Sequence, residues 1–149
     1  MIPQSIKFLI IASWMVTYLA GLPEWRHRAR DEAHALLSMY ATTSSTDTRD
    51  LAGQLATMPL EVWEKCTPVI DAVIRETLRV AQPHTAMRQN VGPEMYIAGA
   101  RVPSGAYVVY PFSDVHLNPQ LYPDPWRFDP GRSDCEAQLG YVGWGGGER

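Results

Sequence analysis

Cysteine is scarce in this chain: there are two, Cys66 and Cys135, in 149 residues. They form no C-x-x-C pair and no spacing typical of zinc. A disulfide framework and a structural zinc site are therefore excluded, and a reducing compartment is the default. Histidine is equally thin, and His27, His34, His84 and His116 lie too far apart in sequence to make a metal cluster with the cysteines. The net charge of −3 leaves no electrostatic footprint for nucleic acid. Charged residues make up 19% against 46% hydrophobic, an ordinary globular balance that excludes a disordered chain. Also missing is an apolar run long enough to span a bilayer. Phe8 to Leu22 is uncharged and mostly apolar, but falls short of the roughly 20 residues a spanning helix needs. It has the length of a signal peptide's apolar region. Against that, it carries the bulky Trp14 and Tyr18 and runs on through Pro23 into a charged segment, so a buried core helix is the better expectation.

What is there changes character along the chain. Ile6 to Ala20 reads as one apolar helix, ended by Gly21-Leu22-Pro23. Glu24 to Met39 reads as a second, with Trp25, Ala29, Ala33 and Leu36 or Leu37 on one side and charges on the other. Arg26, His27, Arg28 and Arg30 are followed at once by Asp31 and Glu32, which reads as a solvated face. A Ser/Thr-rich loop covers 41–50, and Pro59 opens a short helix through Trp63. Thr67-Pro68 supplies a capping hydroxyl and a first-turn proline for a helix over 67–80, where Val69, Ile70, Val73, Ile74 and Leu78 recur at helical spacing. Met95–Ile97, Arg101-Val102 and Ala106–Tyr110 are strand-like within a β region over 95–110, with turns at Gly99 and Pro103-Ser104-Gly105. The proline-rich meander over 111–132 cannot hold itself by ladders and must pack on something larger. The fold class is mostly α with a small antiparallel β element (α+β). No repeats are present, and no element closes a self-sufficient core, so the chain reads as part of a larger domain.

Three constellations carry chemistry. Glu76-Thr77-Leu78-Arg79 places a carboxylate and a guanidinium three residues apart, on one helix face that also carries Val69, Ala72, Val73 and Val80. A pair there is partly buried and needs further hydrogen-bond partners; alone, the spacing favours a plain surface pair. Tyr122 to Arg132 holds three prolines that fix an extended backbone able to present Arg132, and Trp126 and Phe128 within it call for burial. Trp144-Gly145-Gly146-Gly147-Glu148-Arg149 lets backbone approach a flat or anionic ligand closely. No Gly-Lys-Ser or Gly-Lys-Thr follows, which excludes a phosphate loop.

The order of these parts resembles the cytochrome P-450 family: an E-x-x-R helix, a short sheet, a P-x-R element, then an aromatic-Gly-x-Gly-x-Arg loop. Pro59 to Arg149 is similar to it nearly continuously, more so to its fungal members, and Tyr18 to Trp25 resembles the end of the family's long central helix. The resemblance makes the chain the C-terminal portion of that fold, an incomplete domain. Its parts are the end of the central helix (6–20), the E-x-x-R helix (67–80), the β region, the meander and the heme-binding loop (143–149).

The resemblance implies roles residue by residue. Glu76, Arg79 and Arg132 match a structural triad that locks the heme-side core, although Gly131 stands where Glu is common and Ser133 where an aromatic is common. One carboxylate between two guanidiniums is satisfied by bidentate bonds. The resemblance also implies a strand past the heme ending in a basic residue that pairs with a heme propionate, which Arg88 matches; His84, Thr85, Ala86 and Met87 before it would face substrate. His116 resembles a frequent histidine of the family, and fits a capping or core histidine equally. Trp144, Gly145, Gly147 and Arg149 match the heme-binding signature, with Arg149 toward a propionate. The iron's axial thiolate cysteine would come two positions after Arg149, so no residue here is a metal ligand or a catalytic group, and Cys135 lacks the flanking pattern to replace it.

The implied cofactor is heme (iron protoporphyrin IX), whose thiolate ligand favours O–O cleavage. The implied partners are an NADPH- or NADH-dependent reductase and a small apolar organic substrate. The implied location of the complete enzyme is the endoplasmic reticulum membrane. The family's proton-relay patch would fall near 6–11, which reads Ile-Lys-Phe-Leu-Ile-Ile and carries none; this points to divergence upstream of Ala12 or an altered start. The expectation is thus a fragment of a heme-dependent monooxygenase, inactive by itself. The alternatives are a truncated non-catalytic product, or a membrane-anchored interaction protein using Phe8 to Leu22.

Overall fold

The computed structural model describes residues 4–40, 53, 56, 58–81, 85–133 and 140–143, with the side chains of 4–7 and 40 excepted. Helices α1 (Gln4–Gly21), α2 (Pro23–Tyr40), α3 (Leu60–Lys65) and α4 (Pro68–Ala81) come first. Strands β1 (Thr85–Gln89), β2 (Met95–Ile97), β3 (Ala100–Val102) and β4 (Tyr107–Pro111) follow, then a short α5 (Ser113–His116). The class is α+β, as the composition of elements suggested. The chain divides into two compact units, Met1–Thr77 with Phe128–Arg132, and Leu78–Arg127 with Ser133–Arg149.

In the first unit, α1 ends because Pro23 has no N–H to continue it and opens α2 at its first turn instead. Gly21 is not in the left-handed conformation expected of a glycine cap, so the proline alone breaks the helix. The helix axes turn by 118° across the break, and no single described helix is long and apolar enough to cross a membrane. The expected buried core helix is not what α1 is. Phe8 (58%), Leu9 (67%) and Val16 (64%) are exposed. Ile11, Met15, Tyr18 and Leu19 are half-buried, and Tyr18 stacks on Phe128 at 4.1 Å. The hydroxyls of Ser13 and Thr17 donate to the carbonyls of Leu9 and Ser13, both at 2.8 Å, so α1 presents little polarity.

Helix α2 follows its predicted stripe. Leu36 is buried against Met58 and Val62, with Leu37 and Trp63 packed around them; burial of Leu36 contributes about 2 kcal/mol. Arg26, His27, Arg30 and Asp31 are exposed. Glu32 is not part of that solvated face. Its two carboxylate oxygens accept the backbone N–H groups of Val69 and Ile70 at 2.9 and 2.8 Å. It therefore caps α4, the role expected of Thr67. The Thr67 hydroxyl instead donates back to the Trp63 carbonyl. A bidentate anion at a helix N-terminus satisfies two orphan donors and complements the dipole, which a single hydroxyl cannot match.

In the second unit, β1 and β4 form one antiparallel pair, with Arg88 opposite Val108, and β2 and β3 form another. Strand β1 is the strand that the family resemblance implies ahead of Arg88, although Thr-Ala-Met-Arg-Gln has little β-branched or aromatic content. The β2–β3 turn places Ala98 and Gly99 at φ +48° and +81°, as a two-residue hairpin loop requires. The β4 entry is a turn closed by the Ala106 N–H on the Pro103 carbonyl, with Gly105 at φ +81°. Asn90 ties these loops together: its side-chain amide donates to the Pro93 carbonyl at 2.9 Å and the Pro103 carbonyl at 3.2 Å, and its oxygen accepts the Gly92 N–H.

Candidate functional site

Helix α4 carries both charged residues of the E-x-x-R motif on its buried face. Glu76 is 5% and Arg79 3% exposed, beside Val73, Thr77 and Leu78. The Thr77 hydroxyl donates to the Val73 carbonyl at 2.7 Å, which lets a polar residue sit on that face.

The proline-rich segment is not extended, as its prolines suggested. It folds into two successive Asp-Pro-x-Arg turns, Asp124–Arg127 and Asp129–Arg132. Each is closed by the arginine N–H on the aspartate carbonyl, at 3.0 and 3.1 Å. Asp at the first turn position and Pro at the second pre-set this geometry.

Within the first unit, Glu76 Oε1 accepts the Asp129 N–H at 2.9 Å and Arg132 Nε at 3.3 Å. The Glu76 and Arg132 side chains are 6% and 14% exposed. A charge pair this dry persists only because backbone and side-chain donors both meet the carboxylate.

Within the second unit, the Arg79 fork gathers carbonyls. Nη1 donates to His116 (2.8 Å) and Pro125 (2.7 Å), and Nη2 to Arg127 (3.1 Å). Its guanidinium also lies 4.9 Å from the Tyr122 ring centroid. Trp126, expected to be buried, is 72% exposed. The backbone on both sides of it turns its carbonyls inward to Arg79, which leaves the indole outside.

His116 is fully buried, stacks on Tyr141 at 5.3 Å and accepts the Val142 N–H through Nε2 at 3.0 Å. The Tyr122 hydroxyl donates to the Gly140 carbonyl at 2.7 Å. The two side chains thus anchor 140–143, the segment that leads into the glycine-rich loop. A Cβ at Gly143 would meet the phenol end of Tyr141, so a side chain there would displace that ring. Sequence reasoning did not find the Tyr122 anchor; the only signal was a tyrosine heading a proline run.

The remaining site candidates lie apart from these networks. Arg88 is exposed on β1 and donates to the Met87 carbonyl at 3.0 Å. Strand alternation puts Thr85 and Met87 on one face of the ribbon and Ala86 and Arg88 on the other. Met87 shares its face with the exposed Val109 and Tyr107. His84, Cys135, Trp144, Gly145, Gly147 and Arg149 lie outside the described residues. Among the described residues, no group of three or more His, Cys, Asp or Glu is placed to hold a metal ion.

A family model described as Cytochrome P-450 matches residues 12–149. The chain is 34% identical to the cytochrome P-450 monooxygenase AacuE of Aspergillus aculeatus, over 99% of this chain and 32% of that protein. It is 33% identical to the cytochrome P-450 monooxygenase dmxR5 of a Cryptosporiopsis species, over 93% of this chain and 27% of that protein. It thus spans roughly a third or less of the length of these relatives. The retinoic-acid-bound cyanobacterial CYP120A1 has a similar structure, with a TM-score of 0.66 at 26% identity over 93% of this chain and 29% of that one. A zebra fish cytochrome P-450 shares the fold at a TM-score of 0.65 and 19% identity, over 93% of this chain and 30% of that one.

Proposed function

The chain belongs to the cytochrome P-450 family, and on that premise we propose that it is the heme-side portion of a heme-dependent monooxygenase. The complete protein would insert one atom of molecular oxygen into a small apolar organic substrate. The observation that carries this reading is the dry Glu76–Arg132 pair, with the Arg79 fork on the same helix. Such an arrangement serves a rigid scaffold.

The residues present fit one edge of a heme. Arg88 offers an exposed guanidinium whose fork matches a carboxylate. The anchored segment 140–143 delivers the backbone to a glycine loop that suits a flat ligand. His116 is not offered to iron, because its Nε2 accepts the Val142 N–H. By the family's pattern, the thiolate that would hold the iron would come from a cysteine following Arg149. When bound, the heme supplies the oxidising chemistry, while the protein sets orientation and access.

In this reading Arg88 and Arg149 hold propionates. Trp144, Gly145 and Gly147 shape the loop beneath the ring. The ribbon face bearing Thr85 and Met87 borders the substrate. Glu76, Arg79 and Arg132 keep the underlying turns fixed. Electrons come from an NADPH- or NADH-dependent reductase, and the complete enzyme resides at the endoplasmic reticulum membrane. The test is heme content and the carbon-monoxide difference spectrum of a full-length protein containing this chain. A thiolate-type spectrum supports the proposal, and a purified, folded protein that takes up no heme ends it.

A further inference from the structure

The corner between α1 and α2 meets the second Asp-Pro-x-Arg turn at two points. Tyr18 stacks on Phe128 with ring centroids 4.1 Å apart and planes 12° from parallel. Trp25 lies against Gly131, where an added Cβ would sit 3.2 Å from Trp25 Cζ2. The Arg28 guanidinium backs the indole at 4.1 Å from its centroid. These two contacts bracket Asp129, whose N–H reaches Glu76, and Arg132 follows directly. Gly131 is not in a left-handed conformation, so the turn's shape does not demand glycine there. The neighbouring indole crowds the position, and an added Cβ would need the ring to give by a few tenths of an ångström.

We propose that Tyr18 and Trp25 form an aromatic clasp, and that both are positioning residues which hold this turn so that Arg132 stays on Glu76. The turn's own bonds, the Arg132 N–H on the Asp129 carbonyl and the Gly131 N–H on Asp129 Oδ1, fix its shape. They do not fix its place over the carboxylate. An arginine side chain has about 2 kcal/mol of rotamer entropy to lose, and its 3.3 Å bond to Glu76 is long for a charged pair. Seating the backbone beneath Arg132, alongside the Asp129 N–H on Glu76 Oε1, therefore helps to keep the pair formed. The inference rests on the Glu76–Arg132 geometry and not on the heme reading.

The test is proton NMR of the whole 15N-labelled chain, following solvent exchange of the Arg132 Nε–H, assigned by its loss in Arg132→Lys. Trp25→Ala and Tyr18→Ala are expected to speed that exchange about tenfold, while the Arg79 guanidinium signals keep their protection. Trp25→Phe is expected to stay within about twofold of the native rate. If Trp25→Ala does not fold, Gly131→Ala carries the same test. It is expected to speed exchange, and the smaller ring of Gly131→Ala with Trp25→Phe is expected to restore it. Unchanged Arg132 protection in the alanine variants overturns the proposal. So does equal loss of protection at Arg79, which would mark general loosening rather than positioning.

Discussion

Glu76 and Arg132, far apart in sequence, meet through a carboxylate oxygen and Nε at 3.3 Å, with both side chains largely withdrawn from water. Removing one member takes away the opposite charge that the other faces. Arg132→Ala is expected to cost about 3 kcal/mol of stability, as breaking a buried pair does. Glu76→Gln, which keeps the shape and one acceptor, is expected to cost less. Denaturant unfolding of the two variants and the native chain gives the comparison. Equal stability of native and Arg132→Ala chains would show that the pair carries no weight.

Arg79 differs from Arg132 in that the partners resolved for it are carbonyls. Three of them, from His116, Pro125 and Arg127, meet one planar fork. Lysine keeps the charge but not the fork. Arg79→Lys is therefore expected to be destabilised by about 2 kcal/mol, with several buried carbonyls left short of donors. Hydrogen exchange in the meander reads this out. A meander as protected as in the native chain would argue against it.

Glu32 caps a helix to which it is not joined in sequence. Glu32→Ala is expected to cost about 1–2 kcal/mol, the range of a lost N-cap. The loss should be local, with the Val69 and Ile70 amides exchanging faster while the β1–β4 ladder is unchanged. Thr67→Val, by contrast, should have a much smaller effect on those two amides, since its hydroxyl donates to Trp63 and does not cap.

His116 acts here through Nε2 as an acceptor. His116→Phe keeps the ring volume and its stack on Tyr141 but leaves the Val142 N–H without an acceptor. A cost of about 1–3 kcal/mol is expected, with the Val142 amide as the local reporter. A Val142 amide that stays protected in the variant would remove His116 from the anchor of 140–143.

The helical plan was legible because periodicity is local. The α2 stripe, the amphipathic α4 and the Gly99 and Gly105 turns all follow from residues within one turn of each other. What the sequence hid was mostly long-range. Glu32 looked like one more charge in a solvated run, because its partners are backbone N–H groups beyond position 67. Strand β1 has no strand-like composition, was legible only by resemblance, and exists through its pairing with β4. The exposure of α1 and Trp126 went against hydrophobicity, which records a preference for burial but not whether a partner surface is there. The candidate site was legible by resemblance, as motifs. The double Asp-Pro-x-Arg turn that ties Arg132 to Glu76, and offers Arg79 its carbonyls, came only from the structure.

Heme retention tests the central claim most directly. A full-length protein containing this chain, produced with heme supplied, should purify with one heme per chain, and Arg132→Ala should lower that content severalfold. A folded native protein without heme, or an Arg132→Ala protein with its heme complement intact, would contradict the account.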